Sequence, residues 1–260
     1  MENDIILNVE NLSSGFTVEK QQVSIVKNVS FQVHRGKTLA IVGESGCGKS
    51  VTVHSVMQLL PKNGEIFGGT VTYYKDGKPY ELTSLKKYGP EMRSIRGAEI
   101  GMVFQDPMSS LNPLKRIREA FDEPMKVHGI KDPEERNRRM VQLMELVNLD
   151  PSYLDRFPHE FSGGQRQRIA IARALCIDPQ LVICDEPVSA LDVSIQAQVL
   201  NLMKEIQKKM NLTYIFIAHD LSVVQYISDR IAVMYLGKIM ESASSDELYQ
   251  NPLHPYTKAL

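Results

Sequence analysis

An α/β fold with a mainly parallel sheet, interrupted by a helical insertion, is what this sequence predicts. Three observations carry that reading. Short apolar runs recur and end in a glycine loop or a polar residue, as buried parallel strands do. One such run leads directly into a glycine-rich phosphate-loop pattern. Between Asp106 and about Asp178 the strand-sized runs vanish and helical spacing takes over.

Taken in order, Ile5 to Val9 and Val29 to Val33 alternate with period 2, and Val71 to Tyr74 reads as a third early strand. Leu39-Ala40-Ile41-Val42 is a short run closed by Gly43, and Ile100-Gly101-Met102-Val103-Phe104 is another, closed by Gln105. Pro133-Glu134-Glu135-Arg136 opens an amphipathic helix with Met140, Leu143, Met144 and Val147 on its apolar face. Asp132 suits the N-cap, and Pro133 the first helical position. A second helix is expected from Ser162 through Ala170 and Ala174, stopped by Asp178-Pro179. Leu181-Val182-Ile183-Cys184 and Tyr214 to Ala218 are again buried-strand runs, each ending in a polar residue. Ile231 to Tyr235 follows, then a tight turn at Leu236-Gly237-Lys238 and a last short strand. There is no internal repeat or low-complexity segment.

At 260 residues the chain has room for one large α/β domain or two smaller ones. Hydrophobic content of 43% and charged content of 23% are ordinary for a globular protein, and a net charge of −1 gives no basic field for nucleic acid. Cys47, Cys176 and Cys184 form no CxxC pair and no metal-ligand spacing, and read as reduced thiols. Cys47 lies inside the glycine loop, where a small side chain at a permissive position is the favoured reading over a reactive thiol. The acidic start Met1-Glu2-Asn3-Asp4 does not resemble a signal peptide. No segment approaches the roughly 18 apolar residues of a membrane span, so a membrane role is expected to run through a partner.

The chemistry gathers at the strand ends. Gly43-Glu44-Ser45-Gly46-Cys47-Gly48-Lys49-Ser50 matches GxxxxGK[ST] between a strand and the helical Val51-Thr52-Val53-His54. Glycines let successive N–H groups face phosphate oxygens, Lys49 neutralises charge there, and the Ser50 hydroxyl suits Mg²⁺. Asp185 and Glu186 follow a buried run. Asp185 is placed for Mg²⁺ and Glu186 to polarise an attacking water, whereas an isolated Asp-Glu before Pro187 would be a solvated turn. Gln105 suits Mg²⁺ or that water, and His219, closing the run from Tyr214, suits the γ-phosphate. A second stretch, Phe161-Ser162-Gly163-Gly164-Gln165-Arg166-Gln167-Arg168, presents a serine and two glycines at a helix start, a site for anionic oxygens. One ATP does not need both.

The phosphate loop, Gln105, Phe161 to Gln165, Asp185-Glu186, Ser189-Ala190-Leu191-Asp192 and His219, in that order, resemble the ATP-binding subunit of an ABC transporter across essentially the whole chain. The resemblance implies an ABC-type nucleotide-binding domain: a RecA-like core with a mainly parallel sheet, an N-terminal antiparallel β subdomain and a helical insertion subdomain. Residues 1–106 and 179–260 would form the core and 107–178 the helical part. The loop residues Gly43, Glu44, Ser45, Gly46, Cys47, Gly48, Lys49, Ser50 and Val51 would hold ATP. Ser162, Gly163, Gly164 and Gln165 would contact the γ-phosphate of a partner's ATP in a head-to-tail dimer, with Asp192 on the seam. Phe16, in the loop after the first strand, would stack on adenine, although an aromatic there equally packs on the sheet.

Phe104-Gln105-Asp106-Pro107-Met108-Ser109-Ser110-Leu111-Asn112-Pro113 and Asn251-Pro252-Leu253-His254-Pro255-Tyr256-Thr257 look like the oligopeptide/dipeptide importer branch. That branch implies ATP hydrolysis with Mg²⁺ and a dimer of like or sister ATPase subunits. It also implies two transmembrane permease subunits, an indirectly engaged binding protein, and a place at the cytoplasmic face of the cell membrane. The segment around Ile95-Arg96-Gly97 resembles one sister type, and Cys184 to Val193 the other. Phe161 replaces the family's usual leucine. Relatives continue for tens of residues beyond Thr257, so a truncated chain is expected, and no cysteines are present for the iron–sulfur site that some relatives build. Related importers serve nickel, glutathione or oligosaccharides. A soluble ABC ATPase acting on DNA or ribosomes would need a long coiled coil or two sets of motifs, and a GTPase an Asn-Lys-x-Asp motif. The sequence has none of these.

Overall fold

The computed structural model describes residues 4–260, the side chains of Met108 and Ser109 excepted. The start at Met1, Glu2 and Asn3 lies outside them. Along the chain run β1 (Ile5–Val18), β2 (Gln21–His34), β3 (Thr38–Val42), α1 (Lys49–Val56), β4 (Gly64–Lys75), β5 (Lys78–Glu81), α2 (Pro90–Ala98) and β6 (Ile100–Val103). The short α3 (Pro107–Ser110) and the helices α4 (Ile117–Val127), α5 (Pro133–Leu146) and α6 (Gly163–Ala174) follow without a strand between them. The chain then continues through β7 (Leu181–Asp185), α7 (Val193–Met210), β8 (Thr213–Ala218), α8 (Leu221–Ile227), β9 (Arg230–Tyr235), β10 (Lys238–Ser244), α9 (Ser245–Gln250) and α10 (Pro255–Ala259). Two compact units result, residues 1–92 with 213–260, and residues 93–212.

In the first unit an antiparallel sheet has the order β2-β1-β4-β5. Ile6, Leu7, Val9, Leu12, Val26, Val29, Val33 and Val71 bury its inner face. Strand β3 runs parallel to both β8 and β9, Val42 lying opposite Ala218 and Val233, and β10 returns antiparallel to β9. All residues of β3 and β8 are buried, as the continuous apolar runs require of strands covered on both faces. In the second unit β6 and β7 pair in parallel, from Ile100 opposite Leu181 to Val103 opposite Cys184.

Capping explains where the second unit's helices begin. Asp132 accepts hydrogen bonds from the N–H groups of Glu134 and Glu135 at 3.0 and 3.3 Å, with Pro133 in the first turn of α5. Ser162 caps α6 and Gln165 reaches back to the Ser162 N–H, a capping box. Asp192 caps α7 by accepting from Ile195 N–H at 3.0 Å. Helix α7 is absent from the sequence reading, although its buried Val199, Leu202, Met203 and Ile206 follow helical spacing.

The early strands are longer than their alternating segments. Strand β1 continues to Val18, β2 begins at Gln21, and β4 begins at Gly64. Register shifts between Val9, Leu12 and Ser14 on β1 break the period-2 pattern while the ladder goes on, with Asn11 and Asn28 taking φ of 52° and 56° near them. Strand β5 pairs with β4 beyond the sequence-expected strands, through the Asp76-Gly77 turn, whose two positive φ values are a hairpin signal.

Candidate nucleotide site

Strand β3 delivers the glycine loop. Its curl demands backbone that side chains resist: Gly43 has φ of 151° and a Cβ there would lie 2.1 Å from the Met234 carbonyl oxygen. Gly48, with φ of 107°, is the N-cap of α1 and lies against Ile25 and Met234. At the loop's tip, by contrast, a Cβ on Gly46 would meet nothing within 4 Å, so the outer face is open to a ligand. Lys49, only 4% exposed, donates from Nζ to the carbonyl oxygens of Gly43 and Glu44 at 2.7 and 2.9 Å. A buried ammonium is thus held against the loop. Cys47 is buried in the same loop, and burial pushes its thiol pKa up, which suits the small-side-chain reading.

The parallel register sets the next neighbour. Because Val42 lies opposite Ala218, Gly43 and His219 leave the sheet side by side, and His219 is exposed. Phe16 departs from its expected position. It lies within β1, opposite Val23 and Gly64, half-buried, rather than in a loop after that strand. The register shifts that lengthen β1 are the reason.

In the second unit the register Val103 opposite Cys184 brings the ends of β6 and β7 together. Asp185 ends β7 with 3% exposure. Glu186 does not continue the strand's alternation. It turns out of it with φ of 45°, a left-handed conformation uncommon for a non-glycine residue. Gln105 Nε2 donates to Glu186 Oε2 at 3.1 Å. The serine–glycine stretch packs on the start of α7: a Cβ on Gly164 would lie 2.6 Å from Ile195 Cγ2, and one on Gly163 3.5 Å from Leu191 Cδ2. Asp192 is exposed, and its carboxyl lies below the usual range because the Ser194 hydroxyl and the Ile195 N–H bond it.

The residues expected to hold Mg²⁺ are Ser50 in the first turn of α1, Gln105 and Asp185. Ser50 supplies a hydroxyl in the first unit, and Gln105 and Asp185 an amide and a buried carboxylate in the second, each a hard oxygen donor of the kind that this ion takes.

Sequence reasoning did not single out Tyr256, whose phenolic oxygen accepts the Glu44 N–H at 3.0 Å. It stood only inside a segment noted for its likeness. No spacing signal links positions 212 residues apart.

The ABC transporter family model matches residues 26–189, more than half of the chain. The oligopeptide transport ATP-binding protein OppF of Bacillus subtilis is 49% identical over 258 residues, covering 98% of this chain and 81% of that protein. The oligopeptide transport ATP-binding protein AppF of the same organism is 53% identical over 239 residues, covering 92% and 69%. Among solved structures, the ATP-binding cassette MJ0796, a dimer in a post-hydrolysis state bound to ADP and Pi, superposes with a TM-score of 0.79 at 27% identity. That match covers 92% of this chain and 99% of the cassette. A glycine loop on a buried strand, carboxylates at a parallel strand end and likeness over nearly the whole length agree: the chain belongs to the ABC transporter family.

Proposed function

We propose that the chain is the ATP-hydrolysing subunit of a transporter that imports dipeptides and oligopeptides. The observation that carries the ATPase reading is the loop from Gly43 to Ser50, with its open outer face and Lys49 held against it. The peptide cargo rests on the likeness to oligopeptide transport ATP-binding proteins over 92–98% of the chain.

In this reading residues 43–51 wrap the phosphates, Lys49 offsets their charge and Phe16 packs on adenine. Mg²⁺, when bound, offsets charge on the β- and γ-phosphates, and Ser50, Asp185 and Gln105 are the residues that would hold it. Glu186 accepts a proton as water oxygen bonds to the γ-phosphorus and the bond to the ADP oxygen breaks. His219 steadies the γ-phosphate. Ser162, Gly163, Gly164, Gln165 and Asp192 serve ATP bound by a second subunit, either a copy or a sister ATPase. The partition into a core of residues 1–106 and 179–260 and a helical part of 107–178 belongs to the same reading. No helix among the described residues is long and apolar enough to cross a membrane. Two permease subunits would therefore carry the pathway, with the ATPase bound peripherally at the cytoplasmic face and a binding protein delivering cargo.

The test is co-reconstitution with the permease and binding-protein subunits in liposomes. Peptide-stimulated ATP hydrolysis, lost in Lys49→Ala, is expected. Stimulation by nickel, glutathione or an oligosaccharide but not by peptides would reassign the cargo. ATP hydrolysis equal in Lys49→Ala and wild type would sink the reading.

A further inference from the structure

The C-terminal stretch around α10 meets the phosphate loop through Tyr256. The Glu241 carboxylate accepts the N–H groups of Leu253 and His254 at 2.8 and 2.9 Å, fixing the entry into α10 on β10. Burial pushes this carboxyl up, but the N–H groups that it accepts outweigh it and hold it below the ordinary carboxylate range, so it stays ionised at neutral pH. His254 Nδ1 then accepts the Tyr256 N–H at 3.1 Å, capping the first turn. The Tyr256 ring lies on Tyr235, the last residue of β9, with centroids 4.3 Å apart. Both ends of that ring are therefore set before its oxygen meets the Glu44 N–H at 3.0 Å. The turn after β9 adds a second hold, Gly237 N–H donating to the Cys47 carbonyl oxygen at 2.9 Å.

Glu44 follows the glycine with the most demanding backbone of the loop and is itself exposed. The Glu44 N–H and the Gly43 carbonyl belong to one planar peptide unit, so an N–H that lost its acceptor would be free to turn and would carry with it the Gly43 oxygen that holds Lys49 at 2.7 Å. We infer that Tyr256 is a positioning residue of the nucleotide site, its phenolic oxygen fixing the Glu44 peptide and through it the Lys49 ammonium. The reading rests on the proposed ATP site and adds a residue from the far end of the chain. Burial pushes the Tyr256 hydroxyl pKa upward, so it stays a neutral phenol through the physiological range.

Tyr256→Phe removes the oxygen and keeps the ring on Tyr235. The full chain is titrated with a fluorescent ATP analogue, and KM and kcat are measured for ATP. The dissociation constant is expected to rise about three- to fivefold, the worth of one hydrogen bond, and KM to rise by a larger factor than kcat falls. Lys49→Ala is run beside it. If Lys49→Ala leaves binding unchanged, the nucleotide site itself is refuted. If Lys49→Ala weakens binding while Tyr256→Phe matches wild type, or lowers kcat alone, the positioning role is overturned. Glu241→Gln, which loosens the anchor of α10 but keeps the phenol, is expected to weaken binding in the same direction. A double variant no weaker than Tyr256→Phe supports one shared path, and fully additive losses oppose it.

Discussion

Gln105 and Glu186 are joined by a 3.1 Å hydrogen bond although 81 residues separate them, and Glu186 makes it from a left-handed backbone with φ of 45°. The two follow the paired ends of β6 and β7, so sheet register brings them together and the turn at Glu186 aims the carboxylate. On the proposed reading of Glu186 as general base, a carboxylate held this way is oriented before a water arrives. Glu186→Gln should lower kcat about 10²- to 10⁴-fold while ATP binding persists, and should accumulate an ATP-bound dimer on size exclusion. Gln105→Ala leaves the base but frees its orientation, and a fall in kcat of about tenfold is expected. Turnover of Glu186→Gln within a factor of about three of wild type, far inside the range for a lost general base, would move the base elsewhere.

Gly164 answers to packing as well as to any phosphate. Its missing Cβ would sit 2.6 Å from Ile195 Cγ2, the side chain that follows the Asp192 cap on α7. Gly164→Ala should therefore lose about 1–3 kcal/mol of stability by overpacking, read as a shift in urea midpoint. Pairing it with Ile195→Ala should recover much of that loss, a coupling that a double-mutant cycle measures. If the two losses simply add, the contact is not what requires glycine.

How much was legible follows the distance over which each feature is specified. The loop from Gly43 to Ser50 between a strand and a helix, the cap at Asp132 and the helix start at Ser162 are local patterns, and each element appears as read. Alternation failed for β1 because bulges between Val9 and Ser14 reset the period while the hydrogen-bond ladder continued, which also moved Phe16 onto a strand. Helix α7 carries its signal locally too, in the apolar stripe of Val199, Leu202, Met203 and Ile206. The contact of Gly164 with Ile195 and that of Tyr256 with Glu44 are products of tertiary packing, and no spacing rule within a single sequence anticipates them.

The buried thiols make a chemical prediction. Cys176 is pushed up to about 12 by burial, and burial raises Cys47 and Cys184 as well. Thiolate is the reactive form, so the native chain at pH 8 should react slowly with a disulfide reagent, and all three cysteines should react at once after unfolding. Cys47 should lead in the native state, since Lys49 partly offsets its burial. Rapid modification of one native thiol within seconds would contradict the buried loop geometry.

Asp122 and Arg136 tie α4 to α5 inside the second unit. Arg136 Nε donates to Asp122 Oδ1 at 2.6 Å, with the Arg136 side chain 8% and Asp122 23% exposed, and Lys126 reaches the other oxygen at 2.5 Å. Burial pushes the Asp122 carboxyl up, but the two cations outweigh it and hold its pKa below the ordinary value. A folded pKa below the unfolded one adds stability that is full above about pH 4, the unfolded carboxylate value, and is lost as pH falls through the folded pKa. Asp122→Ala removes that partner from a buried guanidinium. Arg136 keeps the carbonyl oxygens of Ile130 and Lys131 at 2.8 and 2.7 Å, so the cost should be about 2 kcal/mol, below that of a wholly stranded charge. Urea midpoints at pH 7, 5 and 3 check both claims. The gap between wild type and Asp122→Ala should hold from pH 7 to 5 and narrow toward pH 3, whereas a gap unchanged at pH 3 would mean that the charge of Asp122 contributes nothing.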